Sequence, residues 1–234
     1  MKVVGIDLAW GEKSGDGICL IEATSDLARV SRIDYSHGDE ALMSWVEQYI
    51  GDAPSMIFVD APIVCPNRTG SRPVDKKISD EFRGRHAGCY PANSEKCRRP
   101  VRVARRLVDA GFMIGWEGEN CRRLLIEVYP HPATIRLFGL DRIVKYKKGR
   151  VAEKRQEFRR LQALLRDCIK TQFRNLSIPP ELDELLQMEW SKPVEDRTDA
   201  FLCSLIGYNH HIYQGKRNEV FGDMQTGFIL VPSG

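Results

Sequence analysis

The sequence predicts an α/β protein: a mixed five-stranded sheet flanked by helices, with a basic insertion after the fourth strand. Three observations predict it. Short apolar, β-branched runs early in the chain are joined by brief connections, as antiparallel neighbours are. A segment of helical period then leads into another apolar run, the pattern of a crossover to a strand parallel to the first. Longer segments of helical period fill the second half. The 234 residues suit a single domain over 1–234, with an insertion at 63–120.

The first strand lies in MKVVGIDLAWG, where Val3, Val4 and Ile6 are apolar and β-branched. Gly15 and Gly17 bracket a turn, followed by strands at Ile18 to Glu22 and Leu27 to Tyr35. Leu42, Trp45, Val46, Tyr49 and Ile50 recur at helical spacing, and Gly51 ends that helix. The run Ser55 to Pro62 is a fourth strand that ends in Asp60, at the carboxyl end where sites of α/β sheets usually sit. From Ile63 to Asn120 the pattern is irregular as far as Pro100, then gives a short basic helix over Val101 to Ala110. Arg122 to Pro130 is a fifth strand, with Leu125, Glu127 and Tyr129 on one face. A short helix begins at His131-Pro132, and a long one runs from Val151 to Phe173 on a stripe that includes Phe158, Leu161 and Leu165. Pro179-Pro180 stop it, and Glu181 to Trp190 is another short helix. Glu195 to Tyr213 is the last helix, and Thr226 to Pro232 a closing strand or extended tail.

The net charge is only +3, but Asn67 to Arg106 carries twelve Lys and Arg against four acids, and a second basic run covers Lys145 to Arg160. Such runs meet phosphates or form solvated faces. Seven scattered cysteines without a Cys-x-x-Cys fit a reducing cytosol better than a disulfide framework, so the expected location is cytoplasmic. His86, Cys89 and Cys97, with Cys121 as a fourth, are zinc-ligand types, but their spacing matches no standard site. No apolar run approaches the roughly 20 residues of a membrane span. The chain enters its first strand without a charged-then-apolar leader, so neither a secretory signal nor a membrane partner is expected.

Acids fall on the strands and on the last helix. A carboxylate inside a strand is costly unless it is paired, hydrogen-bonded or bound to a cation. Asp7 is therefore a hydrogen-bonded strand-end acid or a metal-binding carboxylate. Asp60 ends the fourth strand. Glu127 on the fifth is a site acid or the partner of a nearby arginine. Asp196 and Asp199 share one face at the start of the last helix, as cap and first-turn acid or as ligands. In an RNase H-like sheet, ordered 3-2-1-4-5, strands one, four and five are neighbours and a late helix packs across them. The five acids would then meet. Clustered carboxylates call for cations, and hard oxygen ligands suit Mg²⁺ or Mn²⁺. Two such ions about 4 Å apart support phosphodiester cleavage.

The motifs VGIDLAWG, VDAP, EVYPH, KYK and DRTDA, in this order, resemble the domain of unknown function 429 family, predicted nucleases of the RNase H-like superfamily. The last motif also resembles the acidic helix of RuvC-type Holliday junction resolvases. The resemblance implies Asp7, Asp60 and Asp199 as metal ligands, Asp196 beside them, Glu127 as the EVYPH acid, and Lys145 and Lys147 as the KYK pair. The RuvC-type fourth-strand acid is commonly Glu, and here it is the shorter Asp60. The expectation is a metal-dependent nuclease acting on DNA or RNA, with Arg68, Arg72, Lys145 and Lys147 on the substrate and Asp7, Asp60, Asp199, Asp196 and Glu127 catalytic. Two alternatives stand beside it. One is a nucleotide-hydrolysing or phosphoryl-transfer enzyme of actin-like ancestry, although the chain has one lobe and no G-x-x-x-x-G-K-[ST]. The other is a nucleic-acid-binding protein without catalysis.

Overall fold

The first strand, β1 (Lys2–Asp7), is the centre of the main sheet. The computed structural model describes residues 1–24, 26–117 and 122–233. β1 pairs antiparallel with β2 (Asp16–Ala23), which pairs antiparallel with β3 (Ala28–Ser36). After helix α1 (Gly38–Tyr49), β4 (Ser55–Val59) returns parallel to β1 on its other side. Helices α2 (Pro73–Phe82) and α3 (Arg98–Asp109) and the short β5 (Met113–Ile114) lead to β6 (Arg123–Glu127), which is parallel to β4. Then come α4 (Pro130–Leu137), α5 (Val151–Thr171), the short β7 (Leu176–Ser177), α6 (Pro180–Leu185) and α7 (Lys192–Ile212). A hairpin of β8 (Asn218–Asp223) and β9 (Gly227–Pro232) closes the chain as a second sheet.

The main sheet is mixed and has seven strands, in the order β5-β6-β4-β1-β2-β3-β7, rather than five. The two extra strands are edge pieces of two residues each, too short to show alternation in a sequence. The stretch read as irregular contains a ten-residue helix, α2. Pro73 opens it, the Asp75 carboxylate caps the Arg72 N–H, and Val74, Ile78 and Phe82 form one buried stripe. That stripe packs with Ile135, Ile229 and Val231 into a small satellite core under the terminal hairpin. Among the described residues no helix is long and apolar enough to cross a membrane.

The helix that matters most for the site is α7. It begins at Lys192 with Pro193 in its first turn, three residues earlier than expected. Asp196 and Asp199 therefore lie beyond the first turn, where neither caps the helix nor benefits fully from its dipole. Almost every residue from Val194 to His210 is buried, because α7 lies across β1, β2 and β4. Two strand glycines make that approach so close. A Cβ on Gly5 would stand 2.1 Å from the Ala200 carbonyl oxygen, and one on Gly17 would stand 2.0 Å from that of Asp196. Only hydrogen fits at either place.

Candidate functional site

Strand alternation decides which acids can meet. Successive side chains point to opposite faces. Gly5 faces α7, so Asp7, two residues on, faces it too. Gly5 pairs with Phe58 on β4, and Phe58 packs toward Gly207 of α7. Asp60, two residues past Phe58, leaves β4 on that same side, and its N–H donates to the Ile6 carbonyl 2.9 Å away. Asp199 hangs from α7 above them, fully buried. Three carboxylates from distant parts of the chain thus share one corner of the sheet.

A lysine sits among them. The Lys147 ammonium is 2.8 Å from Asp199 Oδ2 and 3.8 Å from Asp60 Oδ2. The neighbouring Tyr146, itself buried, donates its hydroxyl to Asp199 Oδ1 at 2.7 Å and fixes that carboxylate's orientation. Asp196 sits at the rim, held by the Lys192 ammonium at 2.5 Å and the Tyr35 hydroxyl at 3.3 Å. Asp7 makes neither hydrogen bond nor ion pair among the described residues.

Burial raises two carboxyls of this cluster, Asp7 and Asp60. Desolvation pushes the Asp7 carboxyl well above the usual carboxylate range. Lys147 opposes the rise, and the charges of Asp199, Asp60 and Asp196 add to it. Desolvation likewise lifts Asp60 to about 7, against the pull of Lys147. Lys147 stays charged: burial alone would lower its pKa, but Asp199, Tyr146, Asp7 and Asp60 raise it well above the ordinary value.

Glu127 and Arg72 belong to a different structure. Glu127 pairs in register with Val59, which alternation turns away from α7. There the Arg72 guanidinium grips it with bonds of 2.6 and 2.8 Å and also holds Asp75 at 2.8 Å. The Glu127 carboxylate accepts the Ile63 N–H as well, at 3.0 Å. Arg72 is 1% exposed, so the expectation that it contacts substrate is corrected: it anchors α2 to β6. Arg68 is exposed and lies 3.8 Å from Glu95. Lys145 is exposed on the far side of Tyr146, at the wall of a cavity that Lys147 also lines.

Part of the insertion's charge is accounted for by partners outside it. Arg99 is buried against Asp16 and Asp39 at 2.6 and 2.8 Å. Arg102 binds Glu12 and Asp39, and Arg106 binds Glu40. The acids that oppose these arginines come from the turn after β1, from β2 and from α1, outside the insertion. A count within the segment misses them. Those three arginines therefore hold α3 to the start of the chain, and they are not presented to a phosphate.

Among the described residues no three His, Cys, Asp or Glu side chains are grouped so as to hold a metal ion as they stand. This covers His86, Cys89 and Cys97; Cys121 lies outside the described residues, as does Asn120 at the end of the expected insertion. The acid cluster nevertheless suits a hard cation in its chemistry. Its donors are all oxygens. Among the described residues Asp7 is without a partner, and the shielded Asp199 Oδ2 meets only the Lys147 ammonium, with no hydrogen bond. The one ammonium reaches only Asp199 and Asp60, and the raised carboxyls of Asp7 and Asp60 are places where a cation could stand in for a proton.

Fold and site together define an α/β protein with a lysine-centred carboxylate cluster at the carboxyl ends of its central parallel strands. The chain belongs to the family described as protein of unknown function (DUF429), whose model matches residues 5–226. No curated protein matches it.

Sequence reasoning found the three acids and missed the position of Lys147. The KYK motif marks the lysine but lies in a loop, where no periodicity tells which way a side chain points.

Proposed function

We propose that this protein is a metal-dependent phosphodiester hydrolase of nuclease type, built on an RNase H-like fold. The observation that carries the reading is the convergence of Asp7, Asp60 and Asp199, from β1, β4 and α7, on one side of the sheet, with the Lys147 ammonium against Asp199 and Asp60 and with the Asp7 and Asp60 carboxyls raised by burial and by the charge of neighbouring carboxylates. The succession β3-β2-β1-β4-β6 within the sheet, with α7 across it, supports the fold assignment. Asp7, Asp60 and Asp199 would hold Mg²⁺ or Mn²⁺, which when bound supplies an activated water and charge stabilisation at the leaving oxygen. Tyr146 orients Asp199. Lys147 offers the cluster a resident positive charge and stands between it and the basic cavity, where a phosphate of DNA or RNA would approach.

The test is cleavage of a panel of single-stranded, duplex and branched DNA and RNA with Mn²⁺ or Mg²⁺, against a chelator and against Asp199→Asn. Metal-dependent cleavage lost in the variant is the expected result. No cleavage of any member, together with no metal-induced rise in melting temperature, refutes the reading. That outcome would favour a second one, for which Lys147 itself speaks: a fixed ammonium 2.8 Å from Asp199 in place of a metal, in a protein that binds nucleic acid without cutting it.

A further inference from the structure

Beside the acid cluster, and sharing Lys147 with it, lies a cavity of about 760 Å³. It opens between the turn that follows α2, the loop before α5 and the first turns of α5. Pockets of about 300–1,000 Å³ are the size that encloses a single small ligand. The walls are strongly basic. Arg83, Arg142, Lys145 and Lys148 line it, and among the described residues none of the four has an ion-pair partner. The acids on the wall are already engaged: Glu157 accepts the Lys145 N–H at 3.1 Å and pairs with Arg160 at 3.7 Å, and Glu153 accepts the Arg150 N–H at 3.1 Å. Unpaired cations that converge on one concave space repel one another and focus a positive field, which an anion relieves. Guanidinium and ammonium groups together suit phosphate oxygens.

The remaining wall is aromatic. Tyr90, 60% exposed, stands at the cavity with Lys148 4.5 Å above its ring, and Tyr129 and His131 lie deeper. His131 is neutral, its pKa held down to about 3 by burial, with Lys147 and Lys148 adding to the effect. A phosphate alone would leave most of this volume and all of these rings unused. A flat heterocycle with a phosphate uses both, since rings stack on aromatic side chains in a sequence-tolerant way.

We propose that this cavity binds a phosphorylated nucleoside, with its phosphate among Arg83, Arg142, Lys145 and Lys148 and its base against the Tyr90 side. The ligand is a free nucleotide or the terminal nucleotide of a strand; the recognition chemistry is the same. Binding here requires neither the metal nor hydrolysis, so the inference stands or falls apart from the nuclease reading.

The experiment is calorimetric titration of the full chain in a chelator. The probes are 5′-AMP, 3′-AMP, adenosine, inorganic phosphate, and a five-nucleotide single strand with and without a terminal phosphate. The expected result is saturable one-to-one binding of a monophosphate or of the phosphorylated strand, at least tenfold tighter than adenosine and than phosphate. The double variant Arg142→Ala/Lys145→Ala should weaken it at least tenfold while its melting curve stays that of the folded protein. Tyr90→Ala should weaken the nucleotide but not inorganic phosphate. Tighter binding of the phosphorylated strand than of either monophosphate assigns the site to a chain end; the reverse assigns it to a free nucleotide. No saturable binding of any phosphorylated probe at millimolar concentration overturns the proposal. So does phosphate binding as tightly as the monophosphates, or affinity unchanged in the double variant. Nucleotide binding by a protein that cleaves no member of the panel and shows no metal-induced rise in melting temperature would remove the nuclease reading and leave this one intact.

Discussion

Replacing Asp60 by Asn should stabilise the metal-free protein, by an amount that grows as pH rises from about 4 to about 7. The Asp60 carboxyl is lifted from an ordinary 3.8 to about 7, chiefly by desolvation. Between those values the folded chain keeps a proton that the unfolded chain has released. Stability therefore falls as pH rises from 3.8 to about 7, and the whole cost is present above that. A gap of about 3 pH units, at about 1.4 kcal/mol each, corresponds to about 4 kcal/mol. Asn keeps the shape and does not ionise. The loose contact with Lys147 at 3.8 Å, which Asn gives up, already enters that figure, because Lys147 is among the charges that set the Asp60 value. The net expectation is a gain of about 4 kcal/mol at pH 8, shrinking to about 1 kcal/mol at pH 4.5. Urea unfolding of both proteins in a chelator, at these two pH values, measures it. A midpoint at pH 8 equal to or below that of the wild type would refute the reasoning, as would the same offset at both pH values.

Three other outcomes follow from the same structure. On the proposed reading Mn²⁺ should raise the melting temperature of the wild type, and Asp7→Asn should remove most of that rise, since a ligand stabilises only the state that binds it; equal rises in both would take Asp7 out of any cation site. Gly5→Ala, with a Cβ 2.1 Å from a backbone oxygen of α7, should cost about 3 kcal/mol or more in denaturant unfolding and disturb Asp199; a loss below about 1 kcal/mol would mean that α7 yields freely. Arg72→Met leaves Glu127 and Asp75 buried without their cation and should destabilise by about 3–5 kcal/mol, an expectation that a near-neutral unfolding midpoint would overturn.

What the sequence made legible was whatever carries a period or a turn. The β-branched run with Gly5 in it, the helix before β4 and the long helices α5 and α7 all came through. So did the acids, because a carboxylate in an apolar strand is conspicuous: Asp7, Asp60 and Glu127 stood out for the same reason. The structure separates them by pleat. Asp7 and Asp60 turn to α7, whereas Glu127 turns away to Arg72, and only the register of β4 with β6 decides this. Helix α2 was hidden under its charge, although Val74, Ile78 and Phe82 keep a spacing of four. Strand β8 has a glycine at its fifth position and little burial, so its alternation is weak. The long-range ion pairs were out of reach. Arg99 and Asp16 are 83 residues apart in the chain, and nothing local to either announces the other.

Lys147 joins the two charged regions energetically as well as in space. It lines the basic cavity, and its ammonium is the counter-charge of Asp199 and Asp60. An anion in the cavity competes with those carboxylates for the same positive charge. Whatever it withdraws leaves the acids short of a cation, and they must take up a proton or a metal ion in its place. Asp60, half-titrated near neutral pH, is the group best placed to do so at small cost. Anion binding on one side and cation or proton binding on the other are then linked with positive sign, and by reciprocity each favours the other to the same degree. If the protein hydrolyses phosphodiesters as proposed, a substrate that carries its own phosphate would in this way help to assemble the charge state that the reaction needs. On the proposed reading a fixed lysine has a use here that a fourth carboxylate would lack, because it would keep the buried acids together until a ligand and a cation bind.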